Sequence, residues 1–214
     1  MKIIEPSYEI LTPIDGEAIL KFIERVARTC YKSEKLIGEG TAEKMVAGLI
    51  KSGHTAMLEF FDITVRLWVD LGFYKDVTRH RMASFAIEST RWCNYGKDKF
   101  ENELKFAAPV NIAKGTPEYE CWLDTMQNIE KNYVKMSAMG CTPDQMRMLL
   151  PHSTYSEVNM KANLREWRHI FQLRCSAESH AHPSIKALLG QVLRELQEKI
   201  PIVFDDINQM YMMV

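Results

Sequence analysis

Leu58-Glu59-Phe60-Phe61-Asp62-Ile63-Thr64-Val65-Arg66-Leu67-Trp68-Val69 is the most β-prone stretch of the chain. Ile63, Val65, Leu67 and Val69 alternate with Thr64, Arg66 and Trp68, which predicts a strand over 58–69 with one buried face. Such a face needs covering, and the flanks supply the cover. Upstream, Lys2 to Pro13 alternates weakly and reads as another strand. Asp15 then reads as an N-cap, with Ile19, Leu20, Ile23, Val26 and Ala27 at helical spacing to about Tyr31. Thr41-Ala42-Glu43 opens a second helix, with Met45, Leu49 and Ile50 on one face and Gly53 placed to end it.

Downstream, Asp70 caps a short helix in which Phe73, Val77 and His80 share a face. Residues 92–109 are irregular and polar, and read as a surface excursion. Thr116 to Met139 is a long helix ended by Gly140, and Thr142-Pro143-Asp144-Gln145 has the form of a capping box opening a helix halted at Pro151. Tyr155 to Met160 reads as a strand, Asn163 to Cys175 as an amphipathic helix, and Ser184 to Lys199 as a further helix. Pro201 breaks the chain before a final short helix. No regular βαβ alternation is present. The expected fold is α+β, with helices packed around a small, mainly antiparallel sheet in one domain over 1–214.

Composition narrows the function. The 214 residues carry 27 basic and 28 acidic side chains and a formal net charge of -1, which argues against a general nucleic-acid binder. Five cysteines, an odd count without C-x-x-C spacing, read as reduced thiols in a cytoplasmic protein rather than a disulfide framework or a zinc site. The run Met1–Pro6 lacks the apolar stretch of a signal peptide, and no segment is apolar for long enough to span a membrane, so no membrane partner is expected. His180-Ala181-His182 has no carboxylate partner nearby, so no metal is expected. There is no G-x-G-x-x-G, P-loop or G-x-S-x-G, which disfavours a Rossmann cofactor domain, a P-loop kinase and an α/β-hydrolase.

Three stretches carry candidate chemistry. In the first, Arg79-His80-Arg81 is followed by Ser84, Ser89, Thr90 and Arg91. By itself the run also suits a charged helix end, since the helix dipole favours cations there. The added hydroxyls and Arg91 make a second reading, a phosphate cradle. In the second, Asn163, Trp167, Ile170 and Arg174 fall on one helical stripe, with Arg165 and His169 i,i+4 on the neighbouring face. A charge on an apolar stripe needs a partner, either a structural ion pair or an anionic ligand. The third is Arg147, which local sequence would leave as an exposed helix arginine.

Arg79-His80-Arg81, seven residues and then Ser89 resembles the signature of the flavin-dependent thymidylate synthases. Ser52-Gly53-His54 with Glu59-Phe60, Arg147 with Leu150-Pro151, Asn163-Leu164-Arg165 with Leu173-Arg174, and His180-Ala181 resemble further elements of that family, in its order. The resemblance implies an enzyme that methylates dUMP to dTMP with FAD, NADPH and 5,10-methylenetetrahydrofolate. It implies a homotetramer with sites at subunit interfaces. His54, Arg79, His80, Arg81, Ile87, Asn163, Arg165 and His169 would bind FAD. Asp76, Arg79, Ile87, Glu88, Ser89, Thr90, Arg91, Arg147 and Arg174 would bind the nucleotide, the phosphate falling to Ser89, Thr90, Arg91 and Arg147. Arg174 is the implied catalytic residue. Many family members carry Asn-Glu where this chain has Ala86-Ile87, tyrosine at Trp92, asparagine at His169 and glutamine at Asp76.

The chemistry suits those roles. Uracil C5 becomes a better nucleophile when N3 carries negative charge. Arginine has a pKa above ~12 and is no base, so Arg174 would stabilise the anion electrostatically. Ser89 has no evident general base beside it and reads as a phosphate ligand rather than a nucleophile. Two alternatives stay open. One is a flavin- and folate-dependent pyrimidine nucleotide hydroxymethylase. The other is a non-catalytic nucleotide- or RNA-binding protein, with Arg79, Arg81, Arg147, Arg165, Arg168 and Arg174 lining a groove and Trp92 or Trp167 stacking on bases.

Overall fold

The computed structural model describes residues 1–207, apart from the side chain of Asp98. Its strands are β1 (Lys2–Ile4), β2 (Ser7–Ile10), β3 (Asp62–Asp70), β4 (Ser84–Ile87), β5 (Lys105–Ala107) and β6 (Tyr155–Asn163). Its α-helices are α1 (Gly16–Thr29), α2 (Thr41–Lys51), α3 (Leu71–Val77), α4 (Pro117–Ala138), α5 (Pro143–Met146), α6 (Leu164–Cys175) and α7 (Pro183–Lys199). The main sheet has the order β2-β3-β6-β4. A second sheet pairs β1 with β5 in parallel, Ile3 opposite Phe106. The architecture is mixed, helices around a small antiparallel sheet, as the strand and helix patterns predict.

The chain divides into two compact units: Met1–Tyr8, Arg66–Arg79 and Phe85–Asn159 form the first, while Glu9–Val65, His80–Ser84 and the described residues from Met160 form the second. In the first, Tyr95, Leu104, Phe106, Met126, Tyr133 and Met146 make the core. Thr116 caps α4, and Gly140 at φ +84° lets the chain leave it. Asp70 caps α3 through a 2.7 Å bond from Phe73 N–H. In the second unit α1 packs on α2, and α6 on α7. Ile23, Val46, Leu58, Ile63, Trp167, Phe171, Leu189 and Phe204 are wholly buried. Trp167 stacks on Phe171 at 5.3 Å, and its indole N–H reaches the Ile63 carbonyl at 3.0 Å.

Several sequence expectations are corrected. The strand starts at Asp62, not Leu58: Thr55–Phe60 coils into a 3-10 turn that buries Leu58 alone and leaves Glu59 and Phe60 exposed. Lys2–Pro13 is two strands, because Pro6 has no N–H for a ladder. α3 ends at Val77, so His80 lies beyond it. The 92–109 stretch is not a surface excursion throughout, since Tyr95, Leu104, Phe106 and Ala107 are buried and Lys105–Ala107 forms β5. The Asp15 cap, the Thr142–Gln145 capping box and α4, α6 and α7 stand as read. A helix after Pro201 is not seen through Ile207, and the remaining residues lie outside those described.

Candidate functional site

The second unit gathers His80, Glu166, His169 and Arg174. Asn163 accepts the Glu166 N–H at 2.8 Å and so starts α6. From that helix Glu166, His169 and Arg174 project toward His80, whose side chain is only 4% exposed. Arg174 Nε donates to His80 Nε2 at 3.1 Å, and His80 Nδ1 lies 3.4 Å from Glu166 Oε1. A guanidinium is always a donor, so this contact favours the tautomer with Nε2 unprotonated and the proton on Nδ1. Burial, then the charge of Arg174 and then His169, push the His80 pKa down to about 4. His80 is therefore neutral at pH 7. Burial raises the Glu166 pKa.

His80, Glu166 and His169 have metal-ligating atoms within 4.8 Å of one another. Arg174 already donates to Nε2 of His80 and brings a guanidinium to the same place, which disfavours a cation there. In His180-Ala181-His182, His182 caps α7, its Nδ1 accepting from Ser184 N–H, and His180 is exposed. The other implied flavin ligands of this unit lie in the open. His54 is exposed directly after Gly53, whose φ of +74° turns the chain out of α2, and Arg81 is exposed too. Arg165 is exposed and pairs with Glu59.

The first unit holds the implied phosphate ligands. Ser89 opens a turn, its carbonyl accepting from Trp92 and Cys93 N–H at 3.1 and 3.0 Å. Arg91 Nε and Arg147 Nε both reach Asp144 Oδ1, at 3.4 and 3.5 Å, so one carboxylate oxygen brings the two arginines together. Sequence reasoning missed Asp144. Its i,i+3 spacing to Arg147 was visible, but its contact with Arg91, 53 residues away in the chain, was not. Arg79 and Asp76 are exposed in this unit, and Ile87 is half-buried with only a hydrocarbon side chain to offer. Glu88 faces elsewhere: its carboxylate accepts from Tyr95 O–H at 2.9 Å and lines a cavity of about 400 Å³ with Cys93, Phe100 and Tyr155.

Two residues of the nucleic-acid reading are lost to the core. Trp167 is fully buried and cannot stack on a base. Arg168 is 6% exposed, holds both carboxylate oxygens of Asp206 and also bonds the Val203 carbonyl, so it is a structural ion pair. Trp92, by contrast, is 79% exposed, with the Arg91 guanidinium 5.7 Å from its ring centre.

The model of a family described as Thymidylate synthase complementing protein matches residues 17–202. The chain belongs to this family. Among curated relatives, the flavin-dependent thymidylate synthase of Geobacter sulfurreducens is 26% identical over 187 residues, covering 84% of this chain and 78% of its own. That of Pyrococcus furiosus is 25% identical over 169 residues, covering 78% and 68%. Flavin-dependent thymidylate synthases are methyl-transferring enzymes that use FAD. Two solved structures share the fold. The UMP/dUMP methylase PolB from Streptomyces cacaoi, bound with 5-Br dUMP, superposes with a TM-score of 0.79 at 19% identity, covering 96% of each chain. Thymidylate Synthase X from Helicobacter pylori, with FAD and dUMP, gives 0.73 at 16% identity, covering 94% of this chain and 98% of its own.

The residues of the second unit fit a flavin. Exposed Arg81 and Arg165 supply forked donors of the kind a pyrophosphate takes, and exposed His54 and His169 supply ring edges for a planar cofactor. Among the described residues, no helix is long and apolar enough to cross a membrane.

Proposed function

We propose that this chain converts dUMP to dTMP, taking the carbon from 5,10-methylenetetrahydrofolate and the reducing power from NADPH through FAD. The observation that carries the reading is the 3.1 Å bond between His80 and Arg174, which joins the signature run 79–81 to the helix of Asn163, Arg165 and His169. Arg79, His80, Arg81, His54, Asn163, Arg165 and His169 hold the flavin. FAD, when bound, supplies the hydride that completes the methyl group.

The Arg174 guanidinium is held by His80, so it favours the N3-ionised pyrimidine without acting as a base. Ser89, Thr90, Arg91 and Arg147 bind the phosphate, the arginines leaving Asp144 for a dianion that offers each of them more acceptors. The functional assembly is a homotetramer in the cytoplasm. The test is NADPH oxidation in the presence of dUMP and methylenetetrahydrofolate, followed by product mass. Thymidylate is expected, and a hydroxymethylated nucleotide would overturn the reading.

The apolar Ala86-Ile87 pair favours one variation, a looser choice of nucleotide. A half-buried isoleucine gives a ribose or deoxyribose hydroxyl no side-chain partner. The assay therefore includes UMP beside dUMP, with a higher kcat/KM expected for dUMP.

A further inference from the structure

Glu166 belongs to no role assigned so far, yet it is placed to control His80. Its carboxylate is 12% exposed and lies 3.4 Å from His80 Nδ1. His169 stands edge-on to the same imidazole, 6.0 Å between ring centres, and Arg174 donates to its Nε2. Consider the two neutral forms of the ring. With the proton on Nδ1, the Glu166 carboxylate oxygen 3.4 Å away favours the protonated nitrogen electrostatically, and the Nε2 lone pair receives the Arg174 Nε–H. With the proton on Nε2, two donors would face each other across 3.1 Å, and a bare lone pair would face a carboxylate. Both contacts would be repulsive.

We infer that Glu166 is a positioning residue: it fixes His80 as the Nδ1–H tautomer and thereby makes Nε2 the acceptor that holds Arg174 in its working orientation. The arrangement is a relay of orientation rather than of protons. No covalent bond is made or broken in it. Glu166 touches no substrate in this scheme, and it acts only through His80. The inference rests on the proposed role of Arg174 for its effect on turnover, but the tautomer itself can be read in the absence of any substrate.

The experiment uses the full chain labelled with ¹⁵N-histidine, with and without FAD. His80 is assigned by loss of its signal in His80→Gln, and its two nitrogens are read from long-range proton–nitrogen spectra. An unprotonated Nε2 is expected in the unaltered chain at pH 7. In Glu166→Ala the ring should become a mixture of tautomers, and kcat should fall about tenfold, with KM for dUMP changing by less than about threefold. Glu166→Gln retains a carbonyl acceptor for Nδ1–H and should restore both tautomer and kcat. The Asn163 cap bonds the backbone of residue 166, so α6 should still form in both variants. An Nε2–H tautomer in the unaltered chain would overturn the inference. So would a Glu166→Ala variant with unaltered tautomer and kcat, even one with a lowered melting temperature. A normal tautomer response in a chain that makes no thymidylate would sink the proposed reaction and leave the role of Glu166 standing.

Discussion

At the scale of single residues, the chemistry rests on charges whose states are set by neighbours. His80 has a folded pKa of about 4 against an ordinary 6.5. The unfolded chain therefore takes up this proton more readily than the folded one, so stability should be lost as pH falls from about 6.5 toward 4. The slope approaches about 1.4 kcal/mol per pH unit from this group alone. Denaturant unfolding at pH 7 and pH 5 checks it, and His80→Asn should shrink the difference between the two. Equal slopes in both proteins would remove His80 as the cause. Arg174 and Arg81 should separate in a second test. Arg174→Ala should keep the yellow flavin and lose turnover, because its Nε is anchored to His80 beside the proposed reaction centre. Arg81→Ala should lose flavin instead, because an exposed arginine with no ion-pair partner among the described residues is a ligand-binding group in this reading. Flavin absorbance of the purified variants decides it: full occupancy in Arg81→Ala, or normal activity in Arg174→Ala, contradicts the assignments.

At the scale of elements, close packing places α6 where its polar side chains can meet His80. α6 packs on α7, and the end of α7 meets the start of α1 at Gly16. A Cβ there would run into the Lys199 carbonyl oxygen, so only glycine fits. The obstacle is backbone, which cannot swing aside as a side chain can. Gly16→Ala should cost about 1–3 kcal/mol in denaturant unfolding, as overpacking does. A stability change within about 0.5 kcal/mol would show that the two helix ends part easily. The sequence does not announce this constraint, because Gly16 after Asp15 reads simply as the first turn of a capped helix.

At the scale of the whole molecule, the proposed homotetramer should elute in light scattering at four times the 24.8 kDa chain mass. A monomer with full activity would remove subunit interfaces from the site. Sequence alone determined the longer helices, the caps at Asp15 and Thr142 and the alternation within the main strand, because these depend on spacing and on bonds between near neighbours. Asp15 and Thr142 each bond an N–H three residues on, and such pairs can be read directly. Sequence also identified the family, since Arg79-His80-Arg81, Ser89, Arg147 and Arg174 keep their order whatever the fold does with them. Tertiary structure decided which charges are for ligands and which are for the core. Arg165, Arg168 and Arg174 look alike on one helix, yet Arg165 is exposed against Glu59, Arg168 is locked to Asp206 and Arg174 is held by His80. Each partner lies from 38 to 106 residues away in the chain. Local periodicity says which face a side chain is on, but its protonation state and its partner depend on what folding brings against that face.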